Sequence, residues 1–203
     1  WNICTIEKIP FFYASSAATY GDGSHGYDDN EALLAILEPL NLYGRSKHAF
    51  DLWVLEQEKV GLTPPTWGGF KFFNVYGFGE AHKGRMASVA YHAIQQILEC
   101  STVRLFASDR AGISDGDQQR DFVAVEDICE VLRWAHDTTL QRGIYNLGTG
   151  TATTFNQLVE SVFQALKQPP RTEYFSMPHD LKAKYQYFTQ ANMTRLIQAG
   201  YSR

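Results

Sequence analysis

Apolar and polar positions along the chain alternate between two periods. Ile9-Pro10-Phe11-Phe12-Tyr13-Ala14 is a short apolar run closed by Ser15-Ser16, the pattern of a buried parallel strand that ends in a polar turn. Trp1 to Lys8 carries no helix-start signal and reads as the tail of a helix already under way, and Gly21 to Asn30 reads as a loop. From Gly44 to Lys59 the apolar positions Ala49, Phe50, Trp53 and Val54 keep a 3.6-residue period, with Gly61 as the stop signal. Thr66 to Gly77 is expected as one strand feeding a glycine-containing loop. Arg85 to Glu99 is expected as a helix with Met86, Val89, Ala90, Ile94 and Leu98 on one side. Met86 and the Phe70, Phe72 and Phe73 cluster are expected in the core.

Further strands are expected at Val103–Phe106, Phe122–Val125, Gly143–Gly150 with its turn, and Arg171–Ser176. Helices are expected at Glu126–Asp137, from a Thr153 or Thr154 cap to about Leu166, and at Gln190–Ala199 before Gly200. Strands and helices alternating at this spacing predict an α/β fold with a doubly wound parallel sheet of Rossmann type, joined to a smaller α/β part. Residues 1–75 are expected to belong to the dinucleotide-binding part and 76–203 mainly to the second, with 121–150 returning to the first sheet.

Composition changes this picture little. The 203 residues are 44% hydrophobic and 20% charged, enough for a sizeable core, and the net charge of −4 points away from a nucleic-acid partner. No apolar run reaches the length of a membrane span. Cys4, Cys100 and Cys129 are scattered and odd in number, which reads as reduced and cytoplasmic, and neither they nor the six histidines have a metal-ligand spacing.

The candidate chemistry centres on Tyr43-x-x-x-Lys47, two residues one helical turn apart and therefore on one face. A phenol is a poor base at neutral pH, and a neighbouring ammonium favours its ionised form, so such a pair can take a proton from a hydroxyl group. With 11 tyrosines and 8 lysines in the chain, chance produces the spacing roughly 0.4 times, so its weight comes from its surroundings. Ser16 closes a strand at the carboxyl edge of the sheet, where open α/β sheets bind ligands. One motif is absent: no G-x-G-x-x-G follows a first strand, and Gly148-Thr149-Gly150 lacks the third glycine. Either the protein binds no dinucleotide, or the chain begins after the fingerprint; the abrupt start favours the second reading.

The residues Ser15-Ser16, Tyr43-x-x-x-Lys47 and Asn74-Val75-Tyr76-Gly77, in this order, resemble the extended short-chain dehydrogenase/reductase family. The runs Tyr13–Gly21, Phe72–Gly77, His82–Ala90, Gln119–Val123, Tyr145–Gly150 and Tyr185–Ala191 narrow the resemblance to its epimerases of nucleotide-diphosphate heptoses. That resemblance implies an isomerase that inverts C6 of an ADP-linked heptose by transient oxidation with tightly held NADP, supplying a lipopolysaccharide core precursor. It implies Tyr43 and Lys83 as two acid/bases and Ser16 as a contact to the reacting oxygen. Lys47, Val75 and Lys83 would hold the cofactor. Asn74, Arg85, His92, Phe106, Ala107, Ser108, Asp109, Arg120 and Tyr185 would hold the substrate, with Arg120 as diphosphate clamp. It also implies a ring-like homo-oligomer, a pentamer. The alternatives are a nucleotide-sugar 4-epimerase or dehydratase, which would not need Lys83, and a non-catalytic sugar-nucleotide-binding fragment. Outside the resemblance, Lys83 would be an ordinary solvated lysine and Arg120 a surface partner of Asp117 or Asp121.

Overall fold

In a computed structural model, which describes residues 1–182 and 185–202, strands and helices alternate along most of the chain. The order is α1 (Asn2–Ile6), β1 (Phe11–Ser16), α2 (Leu42–Lys59), β2 (Trp67–Phe72), β3 (Asn74–Tyr76), α3 (Val89–Cys100), β4 (Val103–Phe106), β5 (Gln119–Arg120) and β6 (Phe122–Ala124). Then follow α4 (Val125–Asp137), β7 (Gly143–Leu147), β8 (Thr153–Thr154), α5 (Phe155–Ala165), β9 (Thr172–Phe175), α6 (His179–Lys182) and α7 (Thr194–Gln198). Short 3-10 turns occupy Ala17–Tyr20, Glu31–Ile36 and Ala81–Met86. No helix among the described residues is long and apolar enough to cross a membrane.

The main sheet is parallel, in the order β1-β2-β7, with Phe11 opposite Trp67, Ser16 opposite Phe72, and Phe72 opposite Leu147. All three strands therefore end at one edge. Helix α2 covers one face of the sheet through Val54, packed with Trp67 and Ile144. Helices α4 and α7 cover the other through Ile128, Val131 and Leu196, packed with Phe70 and Tyr145. Two covered faces explain why β2 reads as a continuous apolar run and not as an alternation. A third apolar cluster joins α3, α5 and β4 through Ala93, Ile97, Val103, Leu105, Phe155, Val159 and Phe163, beside the parallel pair β4-β9.

The expected strand Thr66–Gly77 is two strands. Phe73 N still donates to Leu147 O (3.1 Å), but Asn74 N turns to Asp121 O (2.9 Å), and β3 pairs with β6. The chain changes partner at Phe73 and carries Asn74 out of the main sheet. The expected helix start at Arg85 is also corrected. Ser88 is the N-cap, its Oγ accepting from Tyr91 N at 3.1 Å, and residues 81–86 form a 3-10 turn broken at Gly84 (φ 52°). Met86 thus lies before the helix and is 85% exposed, not core, and the inward face is Ala90, Ala93 and Ile97, with Leu98 outside. Phe70 and Phe73 are buried as expected and Phe72 partly so.

Helix ends follow local chemistry. Asn41 caps α2, accepting from Gly44 N at 2.8 Å, so the helix begins at Leu42, two residues before the expected Gly44. It stops in a left-handed turn at Gly61 (φ 75°), with Gly61 N on Glu58 O and Leu62 N on Gln57 O, both 3.0 Å. Thr154 rather than Thr153 caps α5, in a reciprocal box with Gln157. Helix α7 begins only at Thr194, because Ala191 N is held by the Asp121 carboxylate and Asn192 O accepts from the Asn146 side chain.

Candidate active site

Two groups of the expected residues come together, joined by one segment of chain. The first group is at the carboxyl edge of β1. Asn41 fixes Tyr43 in the first turn of α2, with 56% of the residue exposed. Lys47 Nζ lies 5.9 Å from the Tyr43 ring centroid and donates to Ala14 O at 2.8 Å. Gly44 allows this approach: a Cβ there would stand 2.7 Å from Ala18 O, so α2 rests directly on the 3-10 turn after β1. Ala18 N in turn donates to Ser16 Oγ at 3.2 Å. The Ser16 hydroxyl is buried, accepts from that amide, and keeps its proton to give.

The joining segment runs from β3 to α3. Asn74 is exposed and Val75 half-buried. Glu80 fastens the segment. Its carboxylate accepts from Gly77 N (3.0 Å), Ser88 N (2.7 Å) and Ser88 Oγ (2.7 Å). Burial alone would raise the Glu80 pKa, but those donors and the Lys83 ammonium hold it below its ordinary value. Lys83, its side chain 43% exposed, stands 3.8 Å from Glu80 Oε2. Its place therefore depends on a carboxylate that also holds the start of α3.

The second group lines a cavity of about 380 Å³ between α3, β4, β9 and α5, where Arg85, His92, Phe106 and Tyr185 meet Gln118, Phe155 and Phe175. Arg120 is 6% exposed, and its guanidinium lies over two of the lining rings, 4.9 Å from Tyr185 and 5.5 Å from Phe155. One of its nitrogens donates to Gln119 O at 2.8 Å. Burial pushes the Arg120 pKa down and the Tyr185 pKa up. Among the described residues no carboxylate pairs with Arg120. Asp121 instead accepts from Thr149 N, Gly150 N and Ala191 N, and Asp117 from the Asn156 side chain. The surface-salt-bridge alternative for Arg120 is therefore excluded: it is a buried cation aimed between aromatic rings.

The run Phe106–Asp109 divides. Phe106 lines the cavity, whereas Ala107, Ser108 and Asp109 do not. Ala107 N and Ser108 N are taken by Phe175 O and Asp115 Oδ1. The Asp109 carboxylate accepts from Tyr187 OH and pairs with Lys182 at 3.3 Å, and the Tyr187 hydrogen bond leads in lowering its pKa. Sequence reasoning missed Gln118, Phe155, Phe175 and Glu80, for which no local pattern gave a signal. It also missed a buried ion pair between Lys71 and Asp51, for which there was one: a lysine inside an apolar strand needs an anionic partner.

Comparison with known proteins places this geometry. The profile of the NAD dependent epimerase/dehydratase family matches residues 2–148. The chain belongs to this family. Among its relatives, the ADP-L-glycero-D-manno-heptose-6-epimerase of Fusobacterium nucleatum is 43% identical over all of this chain and 63% of its own length. That of Nitratidesulfovibrio vulgaris is 45% identical over 98% of this chain and 60% of its own length. The crystal structure of the Helicobacter pylori ADP-L-glycero-D-manno-heptose-6-epimerase superposes with a TM-score of 0.77 at 27% identity, over 98% of this chain and 57% of that one. The chain thus spans about three fifths of the length of the curated relatives it matches.

The family's name implies a nicotinamide dinucleotide, and the residues present suit one end of it. Lys47 has three N–H donors, and among the described residues one hydrogen bond, to Ala14 O, engages them. The remaining donors stand beside the Tyr43 phenol at the strand ends, a donor set that matches a ribose diol.

Proposed function

We propose that the full-length protein inverts C6 of an ADP-linked heptose, using bound NADP, and so supplies a lipopolysaccharide core precursor in the cytoplasm. The observation that carries this reading is 43% identity to a heptose epimerase over the whole chain. Identity of that extent supports a shared substrate as well as a shared fold. The three cysteines, all free thiols, suit a reducing compartment. Residues 1–75 and 121–150 are assigned to the dinucleotide-binding part and the rest mainly to the substrate part, as the pairing of β7 with β2 supports. Assembly as a homo-oligomer, a pentamer in the family's manner, belongs to the same proposal.

The dinucleotide, when bound, supplies reversible two-electron oxidation of the sugar carbon. The chain's own residues bind, orient and move protons. Lys47 holds the nicotinamide ribose beside Val75. Ser16 donates its free proton to the oxygen on C6, and Tyr43 takes or returns the proton of that oxygen. Inversion requires the oxidised sugar to present its other face, which swings the oxygen out of reach of Tyr43, because proton transfer needs a heavy-atom approach of about 2.6–3.2 Å. Lys83, on the Glu80-fastened segment with Asn74 at its start, serves the second position. Arg120 clamps the diphosphate, and the cavity of Arg85, His92, Phe106 and Tyr185 takes the substrate beyond it. Ala107, Ser108 and Asp109 shape the strand end behind Phe106.

The test is product analysis after incubating the full-length protein with ADP-D-glycero-D-manno-heptose. Conversion to the L-glycero epimer is expected. Failure to convert it, with turnover of a UDP-hexose at C4, would overturn the reading.

A further inference from the structure

Tyr43, Lys47 and Asp51 follow one another at four-residue intervals on α2 and so share a face. That face meets the end of β1 residue by residue. Lys47 donates to Ala14 O, and Asp51 accepts from Tyr13 OH at 3.0 Å and Ser15 Oγ at 2.7 Å. The tie is completed from the neighbouring strand. Lys71 Nζ lies 2.8 Å from Asp51 Oδ2 and 2.6 Å from Thr19 Oγ1, and Thr19 Oγ1 donates to Ser16 O at 2.8 Å. The side chains of Lys71 and Asp51 are both 0% exposed, and the Lys71 ammonium sits 5.1 Å from the Tyr20 ring centroid.

A buried ion pair is a poor way to gain stability, because removing two charges from water offsets their attraction, and apolar residues of similar volume often serve as well or better. What this pair provides is geometry. One ammonium on the middle strand is bonded to the helix that carries Tyr43 and to the turn that fixes Ser16. We propose that Lys71 is a positioning residue for catalysis: through Asp51 and Thr19 it sets the spacing between the Ser16 hydroxyl and the Tyr43 phenol. The proposal rests on the epimerase reading for what that spacing achieves, but not for the tie itself.

The test compares Lys71→Met, Lys71→Arg and the double variant Lys71→Met/Asp51→Asn in the full-length protein. The double variant removes both charges, while its new amide can accept from one of Tyr13 and Ser15 and donate to the other hydroxyl. Lys71→Met should lower epimerisation kcat at least tenfold with KM within about threefold of wild type. Lys71→Arg, which keeps the charge and has donors for both Asp51 and Thr19, should recover kcat at least about threefold over Lys71→Met. The double variant should recover the urea midpoint of wild type yet stay at least tenfold slow. Recovery of kcat together with stability in the double variant would make the pair purely structural and overturn the proposal. So would a wild-type kcat in Lys71→Met. A second readout needs no turnover: amide exchange at Ala18, whose N–H rests on Ser16 Oγ, should quicken at least tenfold in Lys71→Met while α4 amides are unchanged. Equal protection at Ala18 would overturn the tie. If wild type does not convert the heptose, the functional reading fails, and the exchange result still decides the role of Lys71. Should Lys71→Met not fold, Lys71→Gln takes its place in both measurements.

Discussion

Arg120 offers the sharpest separation between a residue kept for the fold and one kept for a ligand. Its guanidinium is buried, contacts two aromatic rings, and has no carboxylate partner among the described residues. In the unliganded protein, Arg120→Met removes two ring contacts worth about 0.5–2 kcal/mol each. It also removes an uncompensated buried cation, whose desolvation costs several kcal/mol. The second effect matches or exceeds the first, so unliganded stability should be unchanged or higher. Binding should move the other way. Losing a buried, charge-assisted contact to a diphosphate costs about 2–5 kcal/mol, which is roughly 30-fold to several thousand-fold in Kd. Calorimetric titration of the full-length variant with ADP-glucose, as a stable diphosphate sugar, measures the second effect, and urea denaturation without ligand measures the first. In steady state KM should rise with a smaller change in kcat, because the contact is equal in ground and transition states. A variant that loses stability but binds ADP-glucose as wild type does would refute the reasoning and return Arg120 to the fold.

Three further outcomes are expected. Tyr43→Phe and Lys83→Met should each nearly abolish epimerisation yet keep dismutation of an aldehyde analogue in one orientation, and the double variant should lose both. Epimerisation by Lys83→Met within about tenfold of wild type, about 1.4 kcal/mol in the barrier, would remove Lys83 from the mechanism. Gly44→Ala should destabilise by about 1–3 kcal/mol by overpacking, since its methyl group would stand 2.7 Å from the backbone oxygen of Ala18, and should slow turnover more than it weakens substrate binding. Undiminished kcat would show that the contact between α2 and the 3-10 turn does not set the site. Because the folded pKa of Glu80 is lowered, its stabilisation is complete above its unfolded pKa of about 4.3 and is lost as pH falls through the lower folded value. In an acid titration of the denaturation midpoint, the stability gap between wild type and Glu80→Gln should therefore start to narrow as pH falls below the unfolded value of about 4.3; a gap that stays constant through this fall in pH would contradict this.

The legible parts of the fold were those with a local cause. Helix α2 announces itself through a 3.6-residue apolar period and a glycine stop, and β1 and β2 through apolar runs fit for a doubly covered sheet. The errors lie where a distant partner decides. Nothing near Phe73 says that Asn74 will leave Leu147 for Asp121, nearly fifty residues on, and so break one strand into two. Ser88 outcompetes Arg85 as the start of α3 because Glu80 holds the Ser88 amide and hydroxyl from eight residues away. Met86 then precedes the helix, and the inward stripe is Ala90, Ala93 and Ile97, which leaves Leu98 outside the core.

The same distinction runs through the site. Tyr43, Lys47 and Ser16 could be read because each is tied to its element by a contact within a few residues, whether the Asn41 cap, the helical interval or the Ala18 amide. In the cavity Arg85, His92, Phe106 and Tyr185 were reached only through the resemblance, and Gln118, Phe155 and Phe175 not at all, because these residues come from separate stretches that meet only once β4 pairs with β9. Two buried cations nonetheless point to such places. Lys71 stands between Phe70 and Phe72 in the sequence, whereas Arg120 stands between Gln119 and Asp121 and its aromatic surroundings arise only in the fold. Burial of either charge has to be repaid by something outside the strand. For Lys71 it is Asp51 on α2. For Arg120 the described residues provide rings but no anion, which is what supports the proposed contact to a diphosphate. A buried cation whose counter-charge the fold does not supply is thus a stronger pointer to an anionic ligand than either the cavity or the aromatic walls alone.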